Sequence, residues 1–178
     1  MNALTKAVSG VFLAVSLCAP IAAQATQAET VQGAYTQLGE RLDWQALRLN
    51  LAGTPICAIR TEAKTRSGGV TARGETVAFL TLETGDERPV FSYLPGARVA
   101  AGDTGARLII DGEVEVHLVG AGDALYAHPD DDAALYQAFR KGRSAVIEAT
   151  LPRIGEIRDE VSLMGVVATS AIMSREGC

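Results

Sequence analysis

ARLIIDGEVEVHLVG, residues 106–120, sets two runs of β-forming residues on either side of Asp111-Gly112. An Asp-Gly pair suits a two-residue turn in which both central residues take left-handed backbone, because glycine has no Cβ to clash and aspartate tolerates the conformation. Beyond the turn Val114, Val116 and Leu118 share one face, while Glu113, Glu115 and His117 share the other. That period of two is what a half-buried strand requires.

Working outward from this hairpin, short apolar stretches alternate with Gly, Pro or Asp. The predicted strands are Trp44–Asn50, Ile56–Lys64, Thr76–Glu83, Arg88–Leu94, Ala106–Asp111, Glu113–Val119, Ala124–His128, Ser144–Leu151, Glu156–Leu163 and Val166–Met173. Such spacing predicts an all-β fold, an antiparallel sandwich or barrel-like sheet of nine or ten short strands. One segment departs from it. HPDDDAALYQAFRKG, from His128 to Gly142, has acids at its front, Leu135, Ala138 and Phe139 on one side, Arg140 and Lys141 in its last turn and glycine as a stop. Those charges oppose the helix macrodipole, so a short helix is expected near 130–141.

The first 25 residues combine Lys6, an apolar stretch from Val11 to Leu17, Pro20 and Ala23-Gln24-Ala25. This is the pattern of a secretory signal peptide cleaved between Ala25 and Thr26. Its apolar core is too short to span a bilayer, which needs about 20 residues. A lipid on Cys18 would require a small residue before it, and Leu17 stands there. Residues 26–40 are small and polar, and are expected to form a flexible segment before a single domain at 41–178. The 178-residue chain carries a net charge of −5, one unit more negative once Lys6 is removed, which disfavours nucleic acid and anionic membrane surfaces as partners. Two cysteines survive cleavage, Cys57 and Cys178, and an oxidising compartment favours their pairing. A closed loop of about 120 residues would restrict the unfolded chain by about 4–5 kcal/mol in the entropy model.

The terminal EVSLMGVVATSAIMSREGC (160–178) reads as a buried closing strand pair with Gly165 at a bend. It is about half the length of a membrane span, and the polar SREGC end does not suit a glycolipid-anchor signal. The mature chain is thus expected to lack a transmembrane segment.

Taken in order, Trp44, Cys57, Lys141-Gly142, Ser162-Leu163-Met164-Gly165 and Cys178 resemble the pattern of the invasion-associated locus B family, in its small members that carry signal peptides. The resemblance covers nearly the whole mature chain. Val166 and Tyr126 stand where that family usually has aromatic residues, an aromatic after the last glycine and a tryptophan before the helix. The resemblance implies an exported β-sandwich in a family whose founding members are associated with entry of bacteria into host cells, with no catalytic residues. It also supports placing the last strand beside the strand of Cys57.

Two motifs invite chemistry. Asp103-Thr104-Gly105 has the form of an aspartic protease loop, but Ala100, Ala101 and Gly102 lead into it where bulky apolar residues are needed, so an exposed turn is expected. His128 beside Asp130, Asp131 and Asp132 could ligate a hard divalent cation, against the plainer reading that the acids cap the helix. His117 lies on the polar face of its strand, Cys57 in an apolar strand suits a bonded or inert sulfur, and Trp44 is expected in the core beside it. No nucleophile elbow, phosphate loop or dinucleotide fingerprint occurs. The favoured expectation is a non-enzymatic protein, periplasmic, at the outer membrane or released, that needs no metal or cofactor and meets an envelope or host protein through its surface. The alternative is a divergent hydrolase or metal-binding enzyme of the envelope.

Overall fold

The structure, a computed structural model, describes residues 35–51, 54–83 and 89–177. Its elements are β1 (Tyr35–Arg41), β2 (Trp44–Leu51), β3 (Thr54–Glu62), β4 (Thr65–Ser67), β5 (Val77–Glu83), β6 (Val90–Leu94), β7 (Gly102–Ile110), β8 (Val114–Ala121), β9 (Ala124–Ala127), α1 (Asp132–Lys141), β10 (Ser144–Leu151), β11 (Gly155–Ser162) and α2 (Val166–Arg175). The fold is all-β. Eleven strands among the described residues form one sheet in the order β1-β2-β3-β5-β6-β9-β8-β7-β10-β11-β4, and every neighbouring pair runs antiparallel.

The hairpin is β7–β8, with Asp111 at φ 49 and Gly112 at φ 77 as the Asp-Gly chemistry requires. Its strands pair one residue further out than a two-residue turn would allow. Ile110 faces Val114, Glu113 N–H donates to the Ile110 carbonyl at 2.9 Å, and Glu113 therefore joins the loop. Leu118 is fully buried, while Glu115 and His117 face solvent.

The order of strands curls the sheet upon itself. β4 follows β3 after only two residues, yet lies at the opposite end of the order, beside β11. Where the chain crosses, Ala63 N–H donates to Thr76 O at 3.1 Å and Lys64 N–H to Glu160 O at 2.7 Å. One segment therefore ties the β3–β5 part of the sheet to its β11–β4 end, which gives the sheet its barrel-like shape. Trp44, Phe91, Tyr93, Leu108, Leu118, Leu125 and Ile147 fill the interior, and α1 adds Leu135 and Phe139. Each such burial is worth about 1.5–3 kcal/mol relative to exposure. The Phe91 and Phe139 rings meet edge to face at 5.4 Å, an arrangement worth about 0.5–1.5 kcal/mol beyond area.

Two expectations need correction. Val166–Met173 is not a strand. Gly165, at φ 113, turns the chain into α2, and a Cβ there would sit 2.3 Å from the Arg41 carbonyl oxygen. The buried residues of α2, Val166, Thr169, Ile172 and Met173, recur at helical spacing and pack on β1, β2 and β3. The Thr169 hydroxyl lies 3.4 Å from the carbonyls of both Arg41 and Trp44. The β-branched composition suggested a strand, but three-to-four periodicity and this sheet face decide for helix. The second correction concerns 26–40: residues from Tyr35 onward already form β1, paired with β2 through a bulge between Gln37 and Gly39. The signal segment and its Ala25-Thr26 cleavage site lie outside the described residues.

Candidate functional site

Alternation along β7, β8, β10 and β11 sends every second side chain to the outer face of the roll, and register places them side by side. His117 lies opposite Arg107, Arg107 opposite Glu148, Glu148 opposite Arg158, and Arg158 opposite Ser67. One rung thus crosses five strands. Arg107 reaches Glu148 Oε2 through Nε at 3.1 Å and Nη2 at 2.8 Å, and Glu115 Oε1 through Nη1 at 3.5 Å. Arg158 meets the other Glu148 oxygen only through Nε, at 3.5 Å. The hydrogen bond that Arg107 donates to Glu148, then the charge of Glu115, holds the Arg107 pKa above its ordinary value.

Around this rung lies an open groove of about 570 Å³. Gly105, in the irregular part of β7, leaves part of its lining bare, since a Cβ built there would meet nothing within 4 Å. Exposed ion pairs such as these are worth about 0–1 kcal/mol, so they contribute little to holding the fold and exchange readily for a ligand. Among the described residues the Glu156 carboxylate and the His117 imidazole have no ionic partner, and the Arg158 Nη groups make no hydrogen bond. A smaller groove of about 370 Å³ runs beside the β1–β2 turn, where Lys64 pairs with Asp43. That bond, then one from Ser162, lowers the Asp43 pKa.

Chemistry of another kind is sealed inside. Arg73 and Asp159 are fully buried as side chains and meet through two bonds, Nη1 to Oδ2 at 2.5 Å and Nη2 to Oδ1 at 2.8 Å. The Tyr93 hydroxyl donates to Asp159 Oδ2 at 2.5 Å, and Ser67 N–H to Oδ1 at 3.3 Å. Arg73 also donates to the carbonyls of Pro95 and Ser67. Desolvation, then the bond to Asp159, pushes the Tyr93 pKa far above the usual phenol range. The cluster ties β4, β6, β11 and the segment before β5 together at the closure of the roll, out of reach of any substrate in solvent.

The residues singled out in the sequence are scattered. Asp103 is exposed in the β7 bulge, where Oδ1 accepts the Gly105 N–H at 2.9 Å. His128, Asp130 and Asp131 are exposed, and His128 Nδ1 accepts the Asp130 N–H at 3.3 Å. Asp131 sits at the N-cap of α1 without a side-chain capping bond, whereas Asp132 is buried in the first turn. Among the described residues no group of three His, Cys, Asp or Glu side chains is placed to hold a metal ion. His117 is exposed as expected, but it belongs to the groove, which sequence reasoning missed.

Two of the motif pieces do meet. Trp44 is buried, and its Nε1 donates to Ser162 O at 2.9 Å, while Met164 N–H donates to Ser162 Oγ at 3.1 Å. Cys57 is buried in β3, and its sulfur is bonded rather than carried as a free thiol. Cys178 lies outside the described residues. Compared with family models, curated proteins and solved structures, the chain finds no match.

Proposed function

We propose that this chain is an exported, non-enzymatic protein of the invasion-associated locus B type, acting in the periplasm, at the outer membrane or after release, by holding a partner protein against its outer sheet face. The observation that carries this reading is the charged groove across β8, β7, β10 and β11. It combines ion pairs of little structural worth, the loose Arg158–Glu148 pair among them, with a Glu156 carboxylate and a His117 imidazole that have no ionic partner among the described residues. The leader-like N-terminus supplies the address. Among the described residues no helix is long and apolar enough to cross a membrane.

A disulfide between Cys57 and Cys178 belongs to the same reading. The Arg48 guanidinium donates to the Glu176 carbonyl, and Arg48 lies directly opposite Cys57 on the neighbouring strand. That contact brings Glu176, two residues before Cys178, to the side chain across from Cys57, which supports the pairing; a bridge needs α-carbons about 4.4–6.8 Å apart.

A photo-crosslinking amino acid at His117, compared with one at exposed Gln137 on α1, tests the function in cells. Adducts with one protein at 117 and none at 137 are expected. Equal labelling at both, or a hydrolytic activity abolished by changing groove residues, would displace the reading.

A further inference from the structure

Resting on that reading, we infer that the groove takes an extended peptide segment whose acidic and basic side chains stand two positions apart. Glu156, Arg158 and Glu160 project to the same face of β11 and alternate in sign. Successive same-face positions of a strand lie about 6.6–6.8 Å apart. A partner in extended conformation has the same spacing, so Lys-x-Glu in a peptide matches Glu156 and Arg158 with both charges engaged at once. Neighbouring charges in a peptide point to opposite sides and cannot do so.

Availability singles out these two residues. The Arg158 side chain is 58% exposed and meets Glu148 loosely, with Nε 3.5 Å from Oε1, while Glu156 is exposed with no ionic partner among the described residues. The remaining charges of the rung are committed, Arg107 to Glu148 and Glu115. Across the groove the Gly105 gap leaves room for a backbone, and Ser67 and Thr150 offer short polar side chains beside it.

The test is fluorescence anisotropy of the full exported protein with labelled Ac-Thr-Lys-Thr-Glu-Thr-NH2 and its isomer Ac-Thr-Lys-Glu-Thr-Thr-NH2, at low and high salt. The first should bind about 5-fold more tightly, with the difference vanishing at high salt, the size expected of the one exposed pair that the isomer forgoes. Arg158→Glu should lose that peptide by about 10-fold and gain one with Lys-Thr-Lys, with melting unchanged. If Arg158→Glu fails to fold, Glu156→Lys serves, and should gain a peptide with Glu-Thr-Glu. Equal binding of the two isomers, no binding of either, binding untouched by both substitutions, or preference for a neutral chito-oligosaccharide overturns the inference. A surviving His117 cross-link alongside any of those results would remove the peptide pattern and leave the surface reading intact.

Discussion

Asparagine at position 159 would keep the shape of the buried aspartate and remove its charge. Arg73 would then remain cationic, with its side chain wholly out of solvent and no carboxylate against it. Removing one partner of such a pair costs about 3–5 kcal/mol, a large share of the about 5–15 kcal/mol that holds a domain together. At about 2–4 °C per kcal/mol for a chain of this length, Asp159→Asn should melt about 6–20 °C below the parent. Urea unfolding followed by circular dichroism measures the loss at equilibrium. The double variant Arg73→Met/Asp159→Leu should recover at least half of it, because the stranded charge is gone although the carbonyls of Pro95 and Ser67 lose a donor. A loss below about 1 kcal/mol for Asp159→Asn, or a double variant worse than the single one, would show that the pair does not lock the seam.

Tyr93 predicts a pH dependence: its folded pKa lies above the unfolded value of 10.0, so its contribution is complete below pH 10 and declines at higher pH as only the unfolded state ionises. The decline approaches about 1.4 kcal/mol per pH unit, and Tyr93→Phe should flatten it in an alkaline urea series. Gly120→Ala should destabilise by about 1–3 kcal/mol, since its Cβ would lie 1.9 Å from the Ala100 carbonyl oxygen, and thermal unfolding reads the loss. Asp103→Ala should change stability by less than about 1 kcal/mol, because it breaks one exposed turn bond. Intact mass of the exported chain should match a start at Thr26 without lipid, two hydrogens lighter than the reduced form. A peptide map joining residues 57 and 178 locates the bridge, and two titratable thiols in the denatured, unreduced protein would defeat it.

Much of the sheet was legible because alternation is a local signal. Asp111-Gly112 marked its hairpin, and the predicted β10 matches the observed Ser144–Leu151. β4 escaped because three residues, Thr65–Ser67, carry no periodicity and owe their pairing to β11, distant in sequence. The helix after Gly165 escaped because its β-branched residues were weighed above their spacing, although Val166, Thr169, Ile172 and Met173 follow a helical stripe. The groove was beyond reach for another reason: each strand announces that Arg107, Glu148 and Arg158 face outward, but only register makes them neighbours. Arg73 and Asp159 likewise look like ordinary surface charges until closure of the roll buries them.

The crossing from β3 into β4 also sets a timetable. β4 joins residues 65–67 to residues 158–160, and α2 lies on strands made from some of the earliest residues of the sheet. During synthesis in chain order, β1, β2 and β3 therefore emerge long before the segments that cover and close them. Until then an apolar sheet surface and unpaired strand edges are open to chaperones and proteases. Such a protein is vulnerable until the last step of its folding. Loss of β11 and α2 by premature termination would strand everything made before them, a kinetic hazard written into the order in which the roll is wound.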